Sequence, residues 1–296
     1  MSSLALLAEI RQSSERRPYE VLKLAEPLLN SSNQLTSATD DAWLVYEQVF
    51  LSALDEGQID LAKALLHILH SRFPSSQRVK RLYGLVNEAA GHPDESHKLY
   101  SEVVDKDPTN VLALKRIIAL LKAEGKMALA ANELVGYLDT HGNDFEAWLE
   151  LSHIYLGLHM YRQAAFCLEE VILQQPANHY FHLCYAEINY SMGLLDIALK
   201  EYLRVIELST DNVRGFYGVK LTADRIIELL SSSTRSGSGG GKSRRDAQMS
   251  FSLDNVPQMP VLEKLSQLAT ERLVATYSAN KAASAPTKAL EDWLKQ

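Results

Sequence analysis

The stretch DFEAWLELSHIYLGLHMYRQAAFCLEEVILQQPAN, residues 144–178, decides the fold. Its first half sets Trp148, Leu151, Ser152 and Tyr155 on one face of a helix, since offsets of three, four and seven return to the same side. Its second half does the same with Ala164, Leu168 and Val171, and Pro176 closes the run. Two helices thus alternate, joined near Gly157 and His159.

Stepping outward by 34 residues finds the same marks on either side. The turn position reads Gly57, Gly91, Gly125, His159 and Gly193, and the closing position reads Pro74, Pro108, Gly142 and Pro176. A small residue recurs at Ala62, Ser96, Ala130, Ala164 and Ala198. A large one follows at Leu66, Tyr100, Leu134, Leu168 and Tyr202, and another at Leu69, Val103, Tyr137, Val171 and Val205. Units therefore run 43–76, 77–110, 111–144, 145–178 and 179–212. A small residue admits a close helix approach and the large ones fill the facing groove. One hairpin cannot bury its own stripe, so neighbours must stack.

This pattern resembles the tetratricopeptide repeat family. The resemblance implies an all-α fold: a right-handed superhelical solenoid with helical caps, working as a protein-binding scaffold. Residues 1–42 read as an N-terminal helical cap, with helices at 4–14 and 18–30. The repeat region spans 43–230, where 213–230 is the first helix of a sixth hairpin, although Lys220 stands at a small-residue position. Residues 231–256, rich in Ser, Gly and basic side chains, read as a flexible loop. Residues 257–296 supply a helix from Pro260 that completes the sixth hairpin, plus a tail. Alternatively, that helix is a separate element on a tether.

Composition narrows the function. The formal net charge of −7 argues against a general nucleic-acid binder, whose footprint is basic. No apolar run approaches the roughly 18 residues of a membrane span, and Leu4 to Ile10 is a poor export signal because it contains Glu9 and no preceding Lys or Arg. A cytoplasmic protein is expected. Cys167 and Cys184 read as packed thiols.

Several motifs suggest chemistry and fall short of it. Gly237 and Gly239–Ser243 imitate a phosphate loop, but Ser236 occupies the first glycine position. The pairs His67/His70 and His179/His182 lack a third metal ligand. The sequons at Asn30 and Asn189 matter only in a secreted protein, and no nucleophile turn frames a triad. No catalytic residue, metal or cofactor is expected.

In the repeat family, the second, fifth, ninth and twelfth places of each unit face inward. Carried onto this chain, that rule makes Arg78, Arg81, Lys115 and Lys122 a basic partner-binding set, with Lys80 and Arg116 beside them. It makes Leu44, Leu51, Leu54, Leu149, Leu156, Tyr180, Leu183 and Tyr190 an apolar set. Both could be plain surface, or they could meet acidic and apolar side chains of a partner segment.

Further stretches carry a second resemblance: DDAWLVYEQV at 40–49, FPSSQRVKRLYG at 73–84, DPTNVLALKR at 107–116, DFEAWLELSHIYLGLHMYRQAAFCLEEV at 144–171 and KALEDWL at 288–294. They are similar to the tetratricopeptide subunit family of the endoplasmic-reticulum membrane protein complex. That resemblance implies a peripheral scaffold on the cytoplasmic side of the endoplasmic reticulum. It would hold cytosolic segments of the third and fifth membrane subunits and dock the soluble eighth or ninth. Insertion of tail-anchored and multipass proteins would belong to the assembly. The other reading is a co-chaperone that grips short peptide termini. The positions compared for that role, Arg81/Leu85 and Lys115/Ala119, lack the asparagines it needs.

Overall fold

A computed structural model describes residues 3–13, 15–30, 41–236, 256–279, 289–290 and 292–294. The chain divides into two compact units, Met1–Glu133 and Leu134–Gln296. The first holds α1 (Ser3–Ser13), α2 (Pro18–Asn30), α3 (Asp41–Asp55), α4 (Ile59–Arg72), α5 (Gln77–Ala89), α6 (Pro93–Lys106) and α7 (Val111–Ala123). Helix α8 (Met127–Thr140) begins in the first unit and ends in the second. The second holds α9 (Phe145–Gly157), α10 (Tyr161–Gln174), α11 (His179–Ser191), α12 (Leu195–Leu208), α13 (Val213–Ser236) and α14 (Met259–Ala279). Most of the phosphate-loop imitation and of the Ser/Gly/basic stretch lies outside the described residues, as does much of the sequon at Asn30.

The fold is that of stacked helical hairpins. In the first unit α3 packs on α4, α4 on α5, α5 on α6 and α6 on α7, and the cap helix α2 lies against α3. In the second, α9 packs on α10, α10 on α11, α11 on α12, α12 on α13 and α13 on α14. Within each pair we call the earlier helix A and the later one B.

Local chemistry starts and stops these helices in register. Asn110, Asp144, Asn178 and Asn212 precede A helices, and each side chain accepts a backbone N–H of the first turn at 2.9–3.2 Å. The A helices α3, α5, α7, α9 and α11 each end on a left-handed residue: Gly57, Gly91, Gly125, His159 or Gly193, with φ between 58° and 81°. The next amide then reaches back five residues, as in Gln58 N–H to Ala53 O at 2.8 Å and Met160 N–H to Tyr155 O at 2.8 Å. Those bonds satisfy carbonyls that the helix end would otherwise leave open.

The core follows the 34-residue register. Ala62, Ser96, Ala130, Ala164 and Ala198 are all at 0% exposure, and the large residues four and seven places on are buried beside them. Ser96 is the polar exception, and its hydroxyl donates to Gly84 O at 2.9 Å. It also contacts His92 O at 3.1 Å.

The last hairpin differs from expectation in two ways. Helix α13 continues to Ser236 rather than stopping at 230, because no breaker precedes Gly237 and the serines bond back onto the helix. Ser231 donates to Glu228 O and Ser232 to Leu229 O, each at 2.9 Å. The close approach of α13 is made by Gly215 and Gly218 rather than at Lys220. A Cβ on Gly215 would stand 3.0 Å from Val205, and one on Gly218 would collide with the ring of Tyr202. Lys220 instead bonds Asp224 at 2.9 Å, and Asp224 accepts from Ser266 of α14 at 2.5 Å.

Candidate partner-binding site

In the first unit the arginines of the basic row are tied to carboxylates of neighbouring A helices. Arg78 of α5 donates Nε–H to Glu47 of α3 at 2.9 Å, and Arg81 stands 3.7 Å from the same carboxylate. Arg116 of α7 donates to Glu88 of α5 at 3.0 Å, and Tyr100 donates its hydroxyl to that carboxylate at 2.5 Å. Lys80 pairs with Glu102 of α6. Lys115 and Lys122 are half-buried on α7.

Burial sets the electrostatics of this row. The Arg81 guanidinium is held below the usual arginine range, first by desolvation; Glu47 offsets part of this and Arg78 adds to it. Arg116 is lowered by desolvation and then by Arg81. Arg78 is different, with 61% of its side chain exposed beside a Glu47 side chain at 13%. The row combines the nearly buried Arg81–Glu47 pair with two arginines that water reaches, Arg78 and, at 40% exposure, Arg116.

The apolar set divides. Leu44 and Leu51 are exposed on α3, but Leu51 lines a cleft with Ile10 and Arg11 of α1. Leu54 is half-buried against the first core. In the second unit Leu149 and Leu156 pack half-buried against Ala164, Ala165 and Leu168. Tyr180 is exposed, stacks edge-on with Phe181 at 5.9 Å and shares a hydrogen bond with Cys184. Tyr190 is half-buried on the second core. Leu183 must be withdrawn from the partner-facing set. It is 3% exposed and belongs to the same core as Phe216 and Val219, because the glycine-mediated approach brings α13 onto this end of the unit.

A rung like those of the first unit recurs here: Arg214 of α13 donates to Glu187 of α11 at 2.6 Å. Sequence reasoning missed the acidic partners. Each lies roughly thirty residues before its arginine, a separation that means contact only once the hairpins are stacked in register.

The residues set aside for other chemistry are structurally engaged. Burial pushes the Cys167 thiol up to about 12 and raises Cys184. His70 packs edge-on against Tyr83 at 5.5 Å, and His182 faces Glu201 at 2.7 Å and Pro176 O at 3.0 Å. Among the described residues no group of three or more His, Cys, Asp or Glu side chains could hold a metal ion. Nor, among them, is any helix long and apolar enough to cross a membrane.

Residues 59–194 match the family model described as the EMC2 TPR-like repeat domain. The protein named ER membrane protein complex subunit 2 in Xenopus tropicalis is 38% identical over 219 residues, covering 73% of each chain. The chain belongs to the ER membrane protein complex subunit 2 family.

Another relative is TPR repeat protein oca3 of Schizosaccharomyces pombe, 31% identical over 220 residues, 73% of this chain and 78% of its own. The C-terminal part of a TPR repeat-containing protein from Cytophaga hutchinsonii superposes with a TM-score of 0.60 over 95% of this chain and 97% of that one. At 14% identity it shows a shared fold alone. In this member of the subunit 2 family, the matched stretch holds the whole basic set and the apolar residues from Leu149 to Tyr190. Leu44, Leu51 and Leu54 precede it.

Proposed function

We infer that this chain is a non-catalytic scaffold subunit of an endoplasmic-reticulum membrane protein complex, working from the cytoplasmic side of the membrane as a peripheral protein. Its A-helix faces receive cytosolic segments of the third and fifth membrane subunits, and a further surface docks the soluble eighth or ninth. Insertion of tail-anchored and multipass proteins is a property of the whole assembly.

The observation that carries this reading is the family match, which runs across both compact units. The A-helix chemistry supports it. Arg78 and Leu44 are exposed on the first unit's A helices, and Tyr180 on the second's. These are side chains able to meet acidic and apolar residues of a partner segment.

The test is recovery of the chain from membranes solubilised in mild detergent. Integral membrane proteins should co-purify, and recovery as a free monomer would overturn the reading. Arg78→Gln with Lys115→Gln should weaken that assembly while the helical circular dichroism stays unchanged. Arg81 is a poor target, since its reversal would set two carboxylates together in a nearly buried site. Specific binding of an acidic chaperone C-terminal peptide would favour the co-chaperone reading instead.

A further inference from the structure

The inner place of the sixth hairpin already has an occupant. Tyr217 holds the fifth place of that unit, equivalent by the 34-residue step to Glu47, Arg81, Lys115, Leu149 and the covered Leu183. Trp293 lies on its ring with centroids 5.1 Å apart and planes at 62°. The Tyr217 hydroxyl reaches the Tyr277 hydroxyl of α14 at 3.5 Å. Leu290 is buried to 3% exposure, and Trp293 and Leu294 pack half-buried beside it on the same core.

The chain's own tail therefore sits on the same inward register as Lys115 and Leu149, which remain half-buried on their own repeats. Its spacing of Leu290, Trp293 and Leu294 is i, i+3, i+4, one face of a single helical turn. That is how an amphipathic segment lays anchors into a helical groove.

We propose that the Tyr217–Tyr277 face is a peptide-binding site whose resident ligand is the chain's own Leu-x-x-Trp-Leu tail, held as a displaceable latch. The tail is built for release. One of its side chains is fully buried and the tryptophan is half-exposed, whereas a fixed core helix buries a whole stripe. A turn this short has no helical stability of its own. Nine residues, 280–288, join it to α14, and none carries a large apolar side chain.

Tethering sets the strength of the latch. A tether this short presents its ligand at an effective concentration on the order of millimolar. For a free peptide of about 10 µM intrinsic affinity, the resident tail then weakens binding about 100-fold. A competing segment must carry the same leucine and aromatic anchors with more contact. The inference rests on the repeat register and not on membership of a membrane complex, so the two stand or fall separately.

The experiment uses the full chain and a fluorescein-labelled peptide of residues 286–296, read by anisotropy. Leu290→Ser with Trp293→Ala empties the site, and that chain should bind the peptide about 100-fold more tightly than the unsubstituted chain. Adding Tyr217→Ala should remove the gain. Equal binding by the first two chains overturns the proposal, as does peptide binding that survives Tyr217→Ala. Loss of the helical signal on emptying the site also overturns it, because a latch leaves without unfolding what it covers.

Discussion

The phenol of Tyr100 fills the space that a side chain on Gly84 would need. A Cβ built on Gly84 would lie well inside contact distance of the ring, whose hydroxyl bonds Glu88 at 2.5 Å. The pair brings α5 and α6 together at the place where Ser96 also reaches Gly84 O. Gly84→Ala should therefore destabilise the first unit by about 1–3 kcal/mol, the usual range for overpacking. Gly136→Ala is the control, because open space surrounds its Cβ within α8. It should stabilise by about 0.5–1 kcal/mol on helix propensity alone. Urea melts of the two variants check the contrast, and a neutral Gly84→Ala would mean the ring does not sit there.

His159 holds the left-handed position that glycine holds in the other turns, with φ 58°. A side chain in that conformation costs roughly 1–2 kcal/mol. His159→Gly should raise the stability of the second unit by about 1 kcal/mol, less what is lost with the 3.4 Å contact to Tyr161. A thermal melt that falls instead would show that the imidazole contributes more than its backbone costs.

Glu47 and Arg81 should be energetically coupled. Their side chains are only 13% and 14% exposed, so water screens them poorly. A double-mutant cycle with Glu47→Gln and Arg81→Gln should return about 1 kcal/mol of coupling, within the usual range for neighbours. It should persist at 0.5 M salt. A coupling that vanishes with salt would put the pair in open solvent.

Stability should fall as the solution becomes alkaline. Burial pushes the Tyr185 phenol up to about 12, with Glu169 adding to it, and raises Tyr100 and Tyr202 as well. An unfolded tyrosine loses its proton near pH ~10. The raised folded values favour the neutral phenol, so their stabilisation is whole below that pH and is lost as pH climbs toward about 12. Melting temperatures between pH 9 and 11 should decline, and Tyr185→Phe should flatten part of the slope. A flat profile in the parent chain would remove these phenols from the balance.

The hairpins were legible because their signal is one-dimensional: Ala164, Leu168 and Val171 repeat what Ala198, Tyr202 and Val205 say, and burial follows. The asparagine and aspartate caps obeyed the same step, yet they went unread beside the apolar pattern. The inner face was harder. Leu183 is covered and Leu149 half-covered because exposure there depends on how closely the next helix approaches. For Leu183, Gly215 and Gly218 set that approach from over thirty residues away. Whether Arg81 is open or paired depends likewise on Glu47, a neighbour only in three dimensions.

The rungs between A helices have a consequence for how such a chain can change. Its hairpins are alike in backbone but not in charge: Glu47 answers Arg78, Glu88 answers Arg116, and Glu187 answers Arg214. Each is an address valid only for one neighbour. Duplicating or deleting the second hairpin, which carries both Arg78 and Glu88, would leave an acid or a base facing the wrong helix. The array can therefore drift in sequence while the order of the hairpins that carry rungs stays locked.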